Sequence, residues 1–177
     1  MKEKERGMLG GLCIVGLLST LVTTASAQYT GMVDCPFTDG RGYERLDALN
    51  NDIQAERERI LGGGAPLEEP YSFILCPNVS FDTTTGPLRP VLDNMIIGCG
   101  DNLSSGDTCL FLGGTSQVEL ESFSDSTHPV TSVRFQGVTF SDFTEAAVRG
   151  TTATDTTTVI FDDVIFGVRL IDDRALL

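Results

Sequence analysis

The sequence predicts an all-β fold, a parallel β-helix of about four to five rungs with one amphipathic helix at its amino-terminal end. Two observations predict it. After residue 70, short segments rich in Val, Ile, Phe and Thr alternate with turn residues, as in proteins built from short strands. In addition, four apolar residues recur 26 positions later, a period typical of stacked structural units. The four are Val133, Phe135, Val138 and Phe140, which recur as Val159, Phe161, Val164 and Phe166.

Each copy of this repeat predicts two strands joined by a corner. Val133 and Phe135 share one face because strand side chains alternate. The step of three residues from Phe135 to Val138 puts the next apolar pair out of phase unless the chain bends at Gln136 and Gly137. We therefore expect both pairs to point inward and each residue to stack on its copy in parallel register. An antiparallel sandwich is the competing fold, but it gives no reason for the repeat.

The amino terminus has the three parts of a signal peptide. Lys2, Lys4 and Arg6 precede an apolar run over residues 8–22, and the small residues 25–27 follow as a cleavage site. The alternative is a membrane anchor, but the run contains glycines and is shorter than the roughly 20 residues that a spanning helix needs. We expect residues 1–27 to be removed, no membrane span to remain, and the protein to be secreted or held at the cell surface.

Three segments are predicted after the signal peptide. Residues 28–42 form an irregular lead-in tethered by a disulfide, residues 43–64 form the amphipathic helix, and residues 71–177 form the β domain. Apolar residues at helical spacing predict the helix, and a run of glycines at 62–64 predicts its end. The apolar residues are Leu46, Leu49, Ile53 and Ile60.

Four cysteines follow the signal peptide, an even number that is typical of disulfides in an oxidising compartment. Three pairings are open. Cys99 with Cys109 is favoured because a polar loop separates them, and this leaves Cys35 with Cys76. Two acceptor sequons for N-linked glycans begin at Asn78 and Asn102, both in polar, turn-like stretches.

The chain is strongly acidic, with a formal net charge of −13 and no lysine after residue 27. Such a surface repels phosphate backbones and anionic headgroups, so nucleic acid and acidic membranes are not expected partners. No cofactor is predicted, and Ca²⁺ alone is left open. An excess of acidic residues also keeps a secreted protein soluble, and this explains the same net charge without any ligand.

The repeat resembles a known superfamily. Residues 132–140, 146–148 and 158–166 look like rungs of the right-handed, single-stranded parallel β-helix, the pectin-lyase-like superfamily. The resemblance implies that the helix at residues 43–64 caps the coil. It also implies that any activity would act on extracellular polysaccharide. The end after Phe166 shows no evident cap, so further rungs, residues 175–177 or a partner chain are expected to cover it.

Catalytic residues implied by this resemblance are few. Of the polygalacturonase-like motifs, only an Asp-Asp pair is present, as Asp162–Asp163 and again at residues 172–173. Pectate-lyase-like members hold Ca²⁺ with aspartates and use an arginine as base. Asp155, Asp162 and Asp163, with Arg149 or Arg169, would be the counterparts, although solvated surface charge explains the same residues.

These observations predict a secreted or cell-surface protein that is not an enzyme and binds carbohydrate, extracellular matrix or a cell-wall component. The secretion signal and the incomplete catalytic motifs both favour this prediction. The alternative is a polysaccharide lyase or hydrolase, or a fragment of one.

Overall fold

The computed structural model describes residues 29–36, 40–67, 70–100, 108–120, 130–150 and 157–167. The predicted signal peptide, residues 1–27, lies outside them. Within the described ranges the chain forms one helix, α1 (Leu46–Leu61), and twelve strands. The strands are β1 (Val33–Asp34), β2 (Arg41–Gly42), β3 (Tyr71–Leu75), β4 (Ser80–Asp82), β5 (Met95–Cys99), β6 (Cys109–Leu112), β7 (Ser116–Leu120), β8 (Ser132–Gln136), β9 (Val138–Ser141), β10 (Ala146–Gly150), β11 (Thr158–Asp162) and β12 (Ile165–Phe166).

Most of these strands lie in parallel sheets. One four-stranded sheet has the spatial order β11-β8-β5-β3, and a second has the order β12-β9-β6-β4. A third parallel sheet consists of β7 and β10, and β1 pairs with β2 in a small antiparallel sheet. From β3 onward, strands that follow one another along the chain fall in different sheets, so each four-stranded sheet is built from segments far apart in sequence.

The parallel register predicted from the repeat is present. Val159 pairs with Val133 and Phe161 pairs with Phe135 between β11 and β8, and Phe166 pairs with Phe140 between β12 and β9. Val164 lies outside the strands but packs against the core. The expectation that all of these residues point into a closed interior is wrong for the second copy, because the Phe161 and Phe166 side chains are exposed.

The corner predicted between the two strands of each copy is also present. Gly137 joins β8 to β9 with a φ of 64°, and Asp163, its counterpart, has a φ of 52°. Such left-handed backbone is open to glycine and is tolerated by aspartate, whose short polar side chain can hydrogen-bond locally. The corner therefore accepts either residue, which explains how the two copies differ there in sequence and agree in shape.

The predicted fold class, an all-β, right-handed, single-stranded parallel β-helix, is wrong. Of the described residues 14% are helical and 44% are in strands, and the short parallel sheets form no closed helix. One physical feature accounts for the difference in class, because the helix α1 places Leu49 and Ile53 in the same core as the strands.

Helix α1 lies within the predicted range 43–64 and is fixed to the strands by its buried face. Leu49 and Ile53 are fully buried, and Tyr43, just before the helix, bridges Leu75 at the end of β3. The Asn50 side chain donates to the Pro87 carbonyl oxygen and accepts from the Arg89 amide, which ties the helix to the segment before β5. Within the described ranges, no helix has the length and apolar character needed to cross a bilayer.

Both disulfides are formed in the favoured pairing, Cys35 with Cys76 and Cys99 with Cys109. The first joins the lead-in to the residue that follows β3, and the second joins the end of β5 to the start of β6. Disulfides persist in oxidising compartments, so both bonds are compatible with an extracellular location.

Asp93 anchors the start of β8 and predicts an acid-sensitive contribution to stability. Its Oδ1 accepts hydrogen bonds from the Thr131 amide and hydroxyl, at 2.6 and 2.7 Å, and from the Ser132 amide at 3.1 Å. Burial acts to raise the pKa of Asp93, but the hydrogen bonds from Thr131 and Ser132 outweigh it and leave the pKa below its ordinary value. A lowered pKa in the folded state means that the carboxylate stabilises the fold at higher pH.

We expect the contribution of Asp93 to be complete above the unfolded pKa of about 3.9 and to disappear as the pH falls through the lower, folded value. The Asp93→Asn variant should therefore lose stability at neutral pH and approach the unmodified protein in acid. Urea denaturation at a series of pH values measures this, and Thr131→Val, which removes one donor, should give an intermediate result. Parallel curves for the Asn variant and the unmodified protein would contradict the prediction.

Candidate functional site

The residues singled out from the sequence are only partly brought together. Asp162 ends β11 and forms an ion pair with Arg134 of β8, with 2.9 Å between Arg134 Nη1 and Asp162 Oδ2. Asp163 follows at the exposed corner. Arg149 lies in β10, in a different sheet, and pairs with Glu145 at 3.2 Å. Asp162 and Arg149 thus have separate partners. Three of the other predicted residues lie outside the described part of the chain, namely Asp155, Arg169 and Asn102.

The proposed calcium ligands are divided in the same way. Asp162 forms an ion pair with Arg134, and the next residue, Asp163, lies in the turn that follows β11. Among the residues that the structure describes, no three His, Cys, Asp or Glu side chains are grouped so as to hold a metal ion. Because Asp155 lies outside those residues, the calcium site remains a prediction from the sequence.

Two buried carboxylates on α1 have structural partners. Asp52 accepts hydrogen bonds from the Thr30 hydroxyl, the Gly31 amide and the Tyr43 hydroxyl, and so holds the segment before β1 against the helix. Burial and the nearby Asp52 raise the pKa of Tyr43 well above its ordinary value, so this hydroxyl stays protonated and donates. The buried charge of Asp52 therefore has a structural role, because its hydrogen bonds hold the amino-terminal segment against α1.

Glu56, the second buried carboxylate, accepts from the Arg59 guanidinium at 2.6 and 2.8 Å and from the Leu67 amide at 2.9 Å. These bonds hold the chain that leaves α1 close to the helix. A small cavity of about 150 Å³ lies between the two carboxylates, lined in part by Tyr29 and Ala55. Both carboxylates that line the cavity are hydrogen-bonded to protein groups.

The most unusual surface of the described protein is an apolar edge, which we call the terminal rim and define as Phe161, Ile165 and Phe166. The exposed fractions of these residues are 41%, 60% and 46%. Strand β11 pairs only with β8, and β12 only with β9, among the described strands. Contiguous exposed apolar residues at the end of a sheet are typical of an interaction surface.

The two aromatic rings of the terminal rim are held in place from one side. The Phe161 ring stacks on the Phe135 ring with centroids 5.9 Å apart and planes 18° apart. The Phe166 ring stacks on the Phe140 ring at 5.6 Å and 21°. Phe161 and Phe166 also contact each other edge to face, at 5.3 Å. Each rim ring is therefore ordered by a buried neighbour while much of its surface is open to solvent.

Polar groups border the terminal rim on the outer face of the first sheet. Side chains alternate along β11, so Asp162 points to the face opposite Phe161. Arg134 reaches Asp162 from the neighbouring strand β8, and Gln136 of β8 is the residue that pairs in register with Asp162. A guanidinium, a carboxylate and an amide therefore lie on the other face of the sheet from Phe161, across the edge strand β11. A ligand that crosses this edge can contact the rings on one face and the polar groups on the other.

Sequence reasoning identified Asp162 and Asp163 but missed Arg134 and the exposure of the rim rings. The repeat placed Phe161 and Phe166 inside because their copies, Phe135 and Phe140, are core residues by pattern. Because the pattern is the same in both copies, it does not distinguish the buried rings from the exposed ones.

Comparison of the chain with protein-family models, with curated proteins and with solved structures found no significant match. The resemblance of residues 131–168 to the pectin-lyase-like superfamily consequently remains a prediction from the sequence, and the candidate site rests on its own geometry.

Proposed function

We propose that this protein is a secreted or cell-surface binding module without catalytic activity, and that the terminal rim binds an extended extracellular carbohydrate. One observation carries the proposal. Phe161 and Phe166 each rest on a buried ring and remain 41% and 46% exposed, and the Arg134–Asp162 ion pair lies across β11 from Phe161. The predicted signal peptide and the two disulfides support the extracellular setting.

The chemistry of the rim suits a sugar ring. One face of a pyranose is formed by C–H groups and can lie on a Phe ring, which contributes a large apolar contact area. The hydroxyl groups at the edge of the pyranose need donors and acceptors, and Arg134, Gln136 and Asp162 provide both. Since the rim rings are already ordered by Phe135 and Phe140, little conformational entropy is lost on binding.

The charge of the chain narrows the class of ligand. A formal net charge of −13 opposes the approach of acidic polymers such as uronates, because like charges disfavour the encounter. Arg134, a cation on the strand next to β11, is already paired with Asp162. The preferred ligand is therefore a neutral polysaccharide.

The enzymatic alternative has no specific support among the described residues. Asp162 is paired with Arg134, and Arg149 with Glu145, so neither stands ready as a base. The remaining candidates, Asp155 and Arg169, lie outside the described ranges.

The test is binding of neutral and acidic oligosaccharides on a glycan array, followed by calorimetry with the best ligand. We expect a neutral β-linked glucan, xylan, mannan or chitin oligomer to bind. Removing an ordered aromatic contact should weaken binding about tenfold for Phe161→Ala or Phe166→Ala, equivalent to roughly 1.4 kcal/mol, and more for the double variant.

A matched control is Leu61→Ala, which removes another exposed apolar side chain at the end of α1, away from the rim. It should bind as the unmodified protein does. Circular dichroism of all variants checks that the fold is retained. If the unmodified protein binds no glycan, or if the double rim variant binds as well as the control, the proposed function is wrong.

A further inference from the structure

The turn between β3 and β4 contains an exposed asparagine at the start of the sequence Asn78-Val79-Ser80. Asn78 has a φ of 62°, a left-handed conformation that asparagine tolerates better than most residues. Its backbone amide donates to the Thr108 carbonyl oxygen at 2.7 Å, and its side-chain Oδ1 accepts from the Thr108 hydroxyl at 3.2 Å. These two hydrogen bonds fix the turn, and the Asn78 side chain remains on the surface.

The surroundings of Asn78 favour covalent modification. Asn78 follows Cys76 by two residues, and Thr108 immediately precedes Cys109, so one disulfide adjoins each side of the contact. Ser80, the third residue of the sequon, is also exposed at the start of β4. A bulky hydrophilic group at this turn has no core residue to displace.

We propose that Asn78 carries an N-linked glycan. In the modification, Asn78 Nδ2 attacks the anomeric carbon of an oligosaccharide carried on a lipid diphosphate. The new N–C bond replaces the bond from that carbon to the diphosphate oxygen, the lipid diphosphate leaves, and Nδ2 loses one proton. The inference requires entry into a secretory compartment, which the signal peptide predicts and the disulfides fit. It does not depend on the function of the rim.

Asn78 and the terminal rim lie toward opposite edges of the second sheet. Strand β4 lies at one edge of the second sheet and β12 lies at the other, with β6 and β9 between them. Three strand spacings separate the two edges by about 14 Å. A hydrophilic chain on the β4 side discourages edge-to-edge association there and leaves the rim side open.

The experiment is expression of the full chain in a eukaryotic host, with the mass of both secreted and cell-retained protein measured before and after enzymatic removal of N-linked glycans. An Asn102→Gln background removes the other sequon. In this background we expect a glycan at Asn78. Ser80→Ala should abolish the glycan, and Ser80→Thr, which keeps the sequon, should retain it.

A third variant separates modification from folding. Asn78→Asp keeps an Oδ1 acceptor for Thr108 and a residue that tolerates the left-handed turn, but it has no amide nitrogen. It should be recovered folded and without the glycan. The inference is overturned if Asn102→Gln alone has the unmodified mass in a host that glycosylates a co-expressed control protein. It is also overturned if Asn102→Gln and its Ser80→Ala derivative have equal masses.

Discussion

Replacing Phe135 by alanine is expected to lower the free energy of unfolding by about 3–5 kcal/mol. Phe135 is 0% exposed, stacks on Phe161 at 5.9 Å and meets the edge of Phe140 at 5.6 Å. Truncation removes a ring that connects the two copies of the repeat and leaves a cavity that neighbouring strands cannot readily fill. Urea denaturation followed by circular dichroism, with both disulfides intact, measures the loss.

Phe161→Ala is the matched control, because Phe161 occupies the same position in the second copy of the repeat. With 41% of Phe161 exposed, less apolar area returns to water on unfolding, and the loss should be about half that of Phe135→Ala or less. Equal losses for the two variants would contradict the assignment of Phe161 to an open surface. They would indicate that another group covers the terminal rim in solution.

The register of the two repeat copies could be predicted because it is written locally. The alternation of Val133 with Phe135 fixes one face, and the step of three residues to Val138 requires the corner at Gly137. The second copy repeats the same pattern, so its parallel partner follows directly, as the pairing of Phe161 with Phe135 shows. Local pattern was also sufficient for α1, whose buried face has helical spacing.

The fold class could not be predicted in the same way because the repeat covers only part of the chain. Extending it to earlier segments overstated their similarity. Strand β4 shows why, since Phe81 is its one apolar residue and the strand carries no copy of the repeat. The core also includes α1, and the contribution of a helix to a core depends on long-range packing that a strand repeat does not encode.

The candidate site was harder to predict than the register because exposure depends on what lies beyond a residue. Phe161 and Phe135 have the same pattern in the sequence, but one is partly exposed and the other is buried. The partner of Asp162 is equally nonlocal, since Arg134 lies 28 residues away and reaches it only across paired strands. The acidic residues themselves could be identified from the sequence. The residue that pairs with Asp162 could be identified only once the register of β11 against β8 was known.

The largest effect of a cross-link is expected for the disulfide between Cys35 and Cys76. The sequence separation is 41 for this bond and 10 for Cys99–Cys109. Because a longer closed loop restricts the unfolded chain more, replacing both cysteines by alanine should cost about 4 kcal/mol for the first bond and about 3 kcal/mol for the second. Urea denaturation of the two double-alanine variants measures both losses.

All four cysteines are buried, so each double-alanine variant serves as a control for the packing lost in the other. If loop closure dominates, the Cys35–Cys76 variant is the less stable of the two. The reverse order would mean that residual structure in the unfolded chain, or packing of Cys99 and Cys109 between β5 and β6, outweighs loop length.

Removing the Cys35–Cys76 disulfide is also expected to release the lead-in from the end of β3, because this bond links the two covalently. Limited proteolysis should then cut the Cys35→Ala/Cys76→Ala variant between residues 29 and 42 faster than the Cys99→Ala/Cys109→Ala variant.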